Sequence, residues 1–148
     1  MKISSKGRYA LASMILLAQN STEGSPLTVI AIAGRLGISK IYLEQVFSLL
    51  RKGGLVTSIK GSQGGYQLAR SADEISAADV LSVTETSIFE NTESTVPDAE
   101  PGIERALQDS LFMPANKAFK EIFERMPLAD LVEESLRKSA GEAYMYCI

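Results

Sequence analysis

Apolar residues recur every three or four positions over most of this chain, which is the pattern of amphipathic helices. The clearest stripe lies in the helix predicted for residues 40–52 and consists of Leu43, Val46, Phe47 and Leu50. Another helix is predicted from about Ser5 to Gln19, with Ser4 or Ser5 as its cap. Between these two, the helix from Thr28 to Leu36 is expected to bury Val29, Ile30, Ala33 and Leu36.

A glycine-rich hairpin is predicted directly after the third helix. Gly53 and Gly54 end that helix, and two short strands then flank the loop Gly61-Ser62-Gln63-Gly64-Gly65. A fourth helix, Ser76–Thr84, completes the segment. Because a Gly37-Ile38 turn joins the second and third helices, residues 1–85 are predicted to form a winged helix-turn-helix DNA-binding domain.

The second half of the chain follows a different pattern. Residues 86–101 are predicted to be an acidic linker loop, and apolar positions then keep helical spacing from Ile103 to Met126. A long helix with one apolar stripe most often packs on a second copy of itself. Residues 102–138 are therefore predicted to be dimerisation helices, kinked at Pro114 and restarted at Pro127, and residues 139–148 a C-terminal tail. The predicted fold class is mainly α with a small β-wing.

Charge divides the chain in the same way. Residues 1–70 contain nine lysines and arginines against two glutamates, a net charge of +7, whereas the remaining residues carry −10. The overall charge of −3 thus hides a basic half, which is the electrostatic feature of a nucleic-acid binder. The chain has no histidine and a single cysteine, Cys147. This composition removes Ser-His-Asp and Cys-His catalysis, so we do not expect an enzyme.

The apolar stretch Tyr9–Ala18 follows basic residues and superficially resembles a signal peptide. It is too short to span a bilayer, and no small-x-small cleavage site follows it, so a buried first helix is the better interpretation. The lone cysteine excludes an internal disulfide and suits a reducing compartment. We therefore expect a cytoplasmic protein without a membrane segment.

Candidate DNA contacts lie on the side of the third helix opposite its apolar stripe. Gln45 can pair with adenine, Glu44 can accept a hydrogen bond from cytosine, and Ile41 can contact a thymine methyl group. The basic arm, the ends of the helix and the wing suit phosphates or the minor groove. The full candidate set is Lys2, Lys6, Arg8, Ser39, Lys40, Ile41, Tyr42, Glu44, Gln45, Ser48, Arg51, Lys52, Lys60, Ser62, Gln63 and Gly64. Tyr42 is equally compatible with packing at the edge of the core.

Several motifs in the first 85 residues resemble the family of small bacterial winged-helix regulators that includes IscR, NsrR and CymR. These motifs are Lys2–Ala10, Tyr42–Gln45, Leu50–Val56, Gly64–Tyr66 and Ile75–Val80. The resemblance implies a transcription regulator that binds double-stranded DNA at a palindromic operator, as a homodimer with crossed C-terminal helices. It also implies that Glu44 and Gln45 read bases, whereas Lys60 replaces an arginine often found at the wing.

The resemblance raises the question of an iron–sulfur cluster. Members that sense iron–sulfur status, oxygen or nitric oxide hold a cluster with three cysteines just before the long helix. The corresponding segment here, residues 88–104, contains neither cysteine nor histidine, so no cofactor is expected. Thr86, Glu90, Glu93 and Asp98 suit at most a weakly bound hard cation, and a solvated loop is the better interpretation.

The cluster-free CymR branch is similar at the C-terminus as well, where this chain ends in Tyr144, Met145, Tyr146, Cys147 and Ile148. That branch implies control of cysteine and sulfur metabolism, with a cysteine synthase as partner. We hypothesise that the Ile148 carboxylate and its neighbours dock into the active site of that enzyme. The alternatives are that this segment folds back onto the dimer, or that the Cys147 thiol is a redox sensor.

Together these features predict a DNA-binding transcription regulator, a repressor of cysteine or sulfur metabolism genes. Two alternatives stay open. One is a cluster-free regulator of other genes that responds to a small ligand or to thiol oxidation. The other is an interaction adaptor without DNA binding, since a helix-turn-helix is also a packing unit. A DNA-binding regulator should lose affinity steeply as salt rises, and an adaptor should not.

Overall fold

The computed structural model describes residues 1–21, 24–96 and 100–146. This part of the chain contains seven α-helices and one two-stranded sheet, and a π-helical segment, Gln108–Phe112, connects α5 to α6. The helices and strands, in chain order, are α1 Ser5–Asn20, α2 Val29–Leu36, α3 Lys40–Lys52, β1 Val56–Ile59, β2 Gly65–Leu68, α4 Ala77–Thr84, α5 Pro101–Leu107, α6 Met113–Glu124 and α7 Leu128–Tyr146.

The predicted winged helix-turn-helix is confirmed. Thr28 caps α2 by accepting a hydrogen bond from the Ala31 N–H at 3.1 Å, and Gly37 ends the helix with φ of +67°. The chain then enters α3, which has the boundaries predicted from its apolar stripe. The two strands pair antiparallel, with Val56 opposite Leu68 and Ile59 opposite Gly65. The result is a recognition-type helix followed by a short hairpin.

Helix α1 lies in the centre of the N-terminal half, where it packs on α2, α3, α4, β2 and α7. The core around it contains the predicted α3 stripe, all of it fully buried: Leu43, Val46, Phe47 and Leu50. Burial of such large apolar side chains is the main favourable term for this domain.

One predicted core residue is wrong. Ile30 is 66% exposed, and Ile32 takes the fully buried position of α2 instead. Val29, Ala33 and Leu36 pack partly buried against the same core, as expected. The physical reason is helical phase, because positions 29, 32, 33 and 36 form an i, i+3, i+4, i+7 stripe, and Ile30 lies about 100° away from Val29.

The wing is attached to the segment that precedes α2. Leu27 and Tyr66 exchange two backbone hydrogen bonds, Leu27 N–H to Tyr66 O at 2.9 Å and Tyr66 N–H to Leu27 O at 2.7 Å. A side chain at Gly65 would place its Cβ 2.5 Å from the Leu27 carbonyl, and the backbone there has φ of +145°. Only glycine tolerates both conditions, so this residue fixes the position of the wing.

Aromatic packing and hydrogen bonds hold the linker against the helices that follow it. The Phe89 ring lies 5.9 Å from each of the rings of Phe119 and Phe123, measured between centroids. The Asn116 side-chain amide donates to the Phe89 carbonyl at 3.2 Å. Glu104 accepts hydrogen bonds from the side chain of Gln108 and from the Val96 N–H, and the bond from Gln108 is the largest cause of the lowered pKa of Glu104.

The last helix is longer than predicted. The sequence predicts that this helix ends near Lys138, yet α7 continues to Tyr146 through the segment predicted as a tail. No proline interrupts residues 139–146, and a single glycine such as Gly141 weakens a helix by only about 1 kcal/mol. Pro114 lies in the first turn of α6, where the missing N–H is tolerated, and the π-helical segment absorbs the interruption just before it.

Helix α7 returns to the N-terminal half. Leu128 is fully buried in the core, and the Gln19 side chain donates to the Ser135 hydroxyl at 2.7 Å. Backbone bonds from Ala77 N–H to Met126 O and from Leu128 N–H to Ile75 O, both 2.8 Å, join the start of α7 to the start of α4. Across the ranges described, no helix is both long and apolar enough to cross a membrane.

Candidate nucleic-acid interface

The outer face of α3 combines the predicted base readers with a lysine from α1. Ile41 is 71% exposed, and Glu44, Gln45 and Ser48 are exposed beside it. Together with Lys6 and Leu49 they line a shallow groove of about 540 Å³. The structure therefore brings one lysine, three hydrogen-bonding side chains and two apolar side chains onto one surface, which is the combination that base-edge recognition requires. Sequence reasoning missed Leu49, although its position four residues after Gln45 places it beside that side chain.

Two candidates of α3 are paired with each other. Lys40 Nζ lies 3.1 Å from Glu44 Oε1, and both side chains are about half exposed. An exposed i,i+4 pair contributes only about 0.3–0.5 kcal/mol, so DNA can separate it at little cost. Lys40 would then bind a phosphate and leave Glu44 free to accept from a base. The hydroxyl of Ser39, at the entry to α3, makes no capping bond and is exposed.

Tyr42 lies at the edge of the core. Its ring packs edge-on against Tyr9, with centroids 5.4 Å apart and planes at 82°, and it is half-buried. Such a pair contributes about 0.5–1.5 kcal/mol beyond the area it buries. The position supports the packing interpretation of Tyr42 over a direct contact with DNA.

A second concavity, of about 340 Å³, lies between the end of α3 and the wing. It is lined by Ser48, Arg51, Lys52 and Tyr66, and Tyr66 itself packs on Phe47 with centroids 4.6 Å apart. The two basic residues therefore lie together at the junction of α3 and the hairpin, and their predicted contact with phosphates stays a prediction.

The tip of the wing is exposed at Lys60, Ser62 and Gln63. Gly64 differs from them, because a Cβ there would lie 2.3 Å from the Ile59 carbonyl oxygen. Close packing inside the hairpin therefore explains this glycine, with no need for DNA to approach its backbone. At the base of the wing, the Arg70 guanidinium donates to the Glu74 carbonyl at 3.3 Å and lies 3.6 Å from Asp79 Oδ2. Arg70 therefore adds to the positive charge of the domain and also connects the base of the wing to the start of α4.

The basic arm consists of Lys2, Lys6 and Arg8. Lys2 and Arg8 are exposed, whereas Lys6 is half-buried at the groove beside α3. Ser4 caps the helix that carries Lys6 and Arg8, since its hydroxyl accepts from the Gly7 N–H at 3.1 Å. The cap makes the start of α1 a defined turn, so two of the three cations stand on rigid backbone.

The candidate partner-binding segment lies at the end of α7. Tyr144, Met145 and Tyr146 are 70%, 76% and 90% exposed, so their side chains do not pack on this protomer. Cys147 and Ile148 lie outside the described residues. Docking of the terminal carboxylate and redox sensing by Cys147 therefore stay predictions.

Comparison with known proteins decides the family. The family model named Rrf2, described as iron-dependent transcriptional regulator, matches residues 3–134. The chain belongs to the Rrf2 family. This Rrf2 chain is 40% identical to the HTH-type transcriptional regulator CymR of Bacillus subtilis strain 168 over 148 residues, which are 100% of both proteins. It is 39% identical to the HTH-type transcriptional regulator IscR of Erwinia tasmaniensis over 132 residues, 89% of this chain and 79% of that protein.

Solved structures agree with the assignment to Rrf2. The structure of CymR, the global cysteine regulator of B. subtilis, matches with a TM-score of 0.76 and 39% identity, covering 90% of this chain and 98% of that one. IscR of T. potens matches with a TM-score of 0.69 and 34% identity, covering 91% and 88%. The resemblance found in the sequence motifs is thus confirmed. The chain is a DNA-binding transcription regulator and not an enzyme.

The iron in the description of the Rrf2 family does not fit the residues of this chain. Iron–sulfur clusters are held by several cysteine thiolates, and the chain has one cysteine and no histidine. Within residues 1–21, 24–96 and 100–146, no group of three metal-ligating side chains comes together. Glu90 and Glu93 are exposed in the linker, and Asp98 lies outside those ranges. A cluster therefore has no part in the function proposed below.

Proposed function

We propose that this protein is a cytoplasmic repressor of cysteine or sulfur metabolism genes, which binds a palindromic operator as a homodimer without an iron–sulfur cluster. The observation that carries the proposal is similarity to CymR from end to end, 100% of both chains, whereas this chain covers only 79% of the IscR relative. The B. subtilis CymR is described as a global cysteine regulator. Family membership supports DNA binding, and the similarity to CymR together with the lack of cluster-binding cysteines supports the choice of pathway.

The geometry of α3 supports direct reading of an operator. Gln45 and Ser48 stand exposed on its outer face, and Lys6 lies beside them at the same groove. A helix of this kind enters the major groove with its N-terminal residues against the base edges. In a two-fold dimer the two α3 helices reach successive major grooves about 34–36 Å apart, so the operator should be a palindrome of matching spacing.

Exposed apolar side chains support the homodimer. Along α5, the π-helical segment and the region of α6, these are Ile103 at 54%, Leu111 at 53%, Ile122 at 65% and Met126 at 38% exposure. Monomeric proteins seldom leave large apolar patches in water, and patches of that kind mark interaction surfaces. A second copy supplies a complementary stripe without any further partner.

We further propose that the end of α7 binds a cysteine synthase. Support comes from the exposed Tyr144, Met145 and Tyr146, which leave this end of the helix accessible. The test is a binding assay between the full-length regulator and the synthase, with a variant that lacks Tyr146–Ile148. Lost binding supports docking of the terminus, and unchanged binding rejects it. Glu142→Ala, an exposed change on the same helix that leaves the terminus intact, is the control.

The pathway is tested by mapping the chromosomal sites that the protein occupies. Sites upstream of sulfur assimilation and cysteine synthesis genes, with expression rising after deletion of the regulator, would support the proposal. Sites upstream of unrelated genes would contradict the sulfur assignment while leaving DNA binding intact.

Salt titration of one bound fragment tests the mode of binding. If the dimer makes roughly 6–10 phosphate contacts, affinity should fall by about 10³–10⁵ between 50 and 200 mM salt. A scrambled fragment of equal length gives the non-specific baseline. No binding to any promoter fragment at low salt would favour the adaptor alternative.

A further inference from the structure

We infer that Glu85 is a positioning residue for DNA binding, because its carboxylate holds the first turn of α1 and so fixes Lys6 beside α3. The inference rests on the proposed DNA-binding function and deepens it. Glu85 follows directly after α4, 81 residues from its partner in the sequence, and none of the sequence motifs identified it. Three independent features of the structure support it.

The first feature is the hydrogen bonding at the start of α1. The Ser4 N–H donates to Glu85 Oε1 at 2.8 Å, and the Ser4 hydroxyl donates to the same oxygen. That hydroxyl also accepts from the Gly7 N–H at 3.1 Å. A helix N-terminus has free N–H groups and a partial positive charge, so a carboxylate placed there is favourable. Glu85 thus acts on the cap of α1 from a distant part of the chain.

The second feature is the glycine beneath this carboxylate. Gly7 is buried in the first turn of α1, where a Cβ would lie 2.5 Å from Glu85 Oε1 and 3.0 Å from Glu85 Cγ. Glycine in a helix costs about 1 kcal/mol relative to alanine. The φ of Gly7 is not positive, so the conformation itself does not require glycine. A Cβ at Gly7 would also lie 3.0 Å from Ile3 Cγ2, but its shortest contact is with the carboxylate, so space for Glu85 is the main reason for the glycine.

The third feature is the location of Lys6. It directly precedes Gly7, and it lines the groove with Gln45 and Ser48. Glu85 itself is held firmly, since its N–H donates to the Leu81 carbonyl at 2.7 Å and the linker that follows is anchored by Phe89 on α6. A shift of the first turn of α1 would move Lys6 relative to α3, whereas the fixed carboxylate prevents that shift.

The sign of the effect separates positioning from simple charge. DNA is a polyanion, so removing a carboxylate near the interface should by itself raise affinity. Removing a group that positions Lys6 should lower it. A glutamate whose removal weakens DNA binding is therefore acting through geometry.

The test uses the full-length protein with Glu85→Ala, and Glu90→Ala as the control. Glu90 is exposed in the same loop region, so both variants change the net charge equally. We expect Glu85→Ala to bind the operator about fivefold more weakly, which is the size of a lost helix cap. The slope of log affinity against log salt should become shallower by about 1 for each phosphate that Lys6 no longer neutralises. Glu90→Ala should bind equally well or slightly more tightly.

Gly7→Ala provides a second variant, which disturbs the same hydrogen bonds by placing a methyl group against the Glu85 carboxylate. It should displace Glu85 and weaken operator binding by a similar factor in the wild-type background. In the Glu85→Ala background it should cause a clearly smaller loss, because the carboxylate is absent and only the 3.0 Å contact with Ile3 Cγ2 remains. Losses that simply multiply would overturn the inference.

Two further outcomes are decisive. A lower melting temperature for Glu85→Ala with an unchanged salt slope would show a purely structural residue and overturn the inference. Wild-type protein that fails to bind any operator would refute the proposed function, and the inference with it. If the wild-type protein binds the operator and the Glu85→Ala and Gly7→Ala variants bind it with the same affinity, the inference alone is refuted.

Discussion

At the scale of single residues, Gln45 is the side chain on which base reading depends in our proposal. It is exposed on the outer face of α3, four residues after Ile41 and three before Ser48. A glutamine amide can donate to and accept from adenine at once, which a lysine near a phosphate cannot do. Discrimination between sequences should therefore be concentrated at Gln45, and general affinity at Lys6.

Replacing Gln45 with alanine tests this division. We expect Gln45→Ala to weaken operator binding by about 1–3 kcal/mol while leaving binding to a scrambled duplex unchanged. Lys6→Ala should weaken both by similar factors, since phosphates carry no sequence information. Fluorescence anisotropy with the two duplexes at one salt concentration measures all four affinities. Equal losses on both duplexes for Gln45→Ala would show that it does not read a base.

Ser13 illustrates a residue effect on stability. Its hydroxyl is fully buried in α1 and has no hydrogen-bond partner in the part of the chain described. An unpaired buried polar group costs about 1–3 kcal/mol, so Ser13→Ala should raise the free energy of unfolding by about 1 kcal/mol. The melting temperature should rise by about 2–4 °C for a chain of this size. Ser82→Ala, exposed on α4, is the control, and an equal rise in both would contradict the argument.

At the scale of elements, the wing depends on one close backbone approach. Gly65→Ala forces a Cβ to 2.5 Å from the Leu27 carbonyl at a φ of +145°. We expect a loss of about 1–3 kcal/mol in unfolding free energy, measured by chemical denaturation. Gly34→Ala meets no atom within 4 Å in α2 and should be neutral or stabilising by up to about 1 kcal/mol. Similar values for the two variants would mean that the wing is not anchored at Leu27.

The elements also show what sequence can and cannot predict. Helix α3 was predicted to its boundaries because thirteen residues carry a full apolar stripe and glycines follow it. Helix α2 has only eight residues, which is too short for the pattern to show which face is buried. Ile30 was therefore predicted in the core position that Ile32 occupies. After Lys138 the sequence has Ser139, Ala140 and Gly141 instead of an apolar stripe, so no periodic pattern marked the helix that continues to Tyr146. Hydrogen bonds between distant segments, such as Ser4 with Glu85, have no local pattern at all, because they depend on how helices pack.

At the scale of the whole molecule, the two ends of the chain share one core while the region between them presents an apolar surface. Leu128 of α7 is fully buried among residues of α1, α3 and α4. The side chain of Ile122, only six residues earlier, is 65% exposed. Chain order thus places the proposed dimer surface directly beside the N-terminal core. A dimer built in this way would hold two α3 helices in a fixed relation, which a palindromic operator requires.

Ile122→Glu tests whether the exposed stripe holds the dimer together. A glutamate buried there without a partner costs several kcal/mol, so the variant should sediment as a monomer where the wild type is a dimer. Operator affinity should fall by about 10²-fold or more, because two linked half-sites become one. Lys117→Ala is the matched control, since it changes the net charge equally and lies about 140° around α6 from Ile122. A dimeric Ile122→Glu variant with intact affinity would place the interface elsewhere.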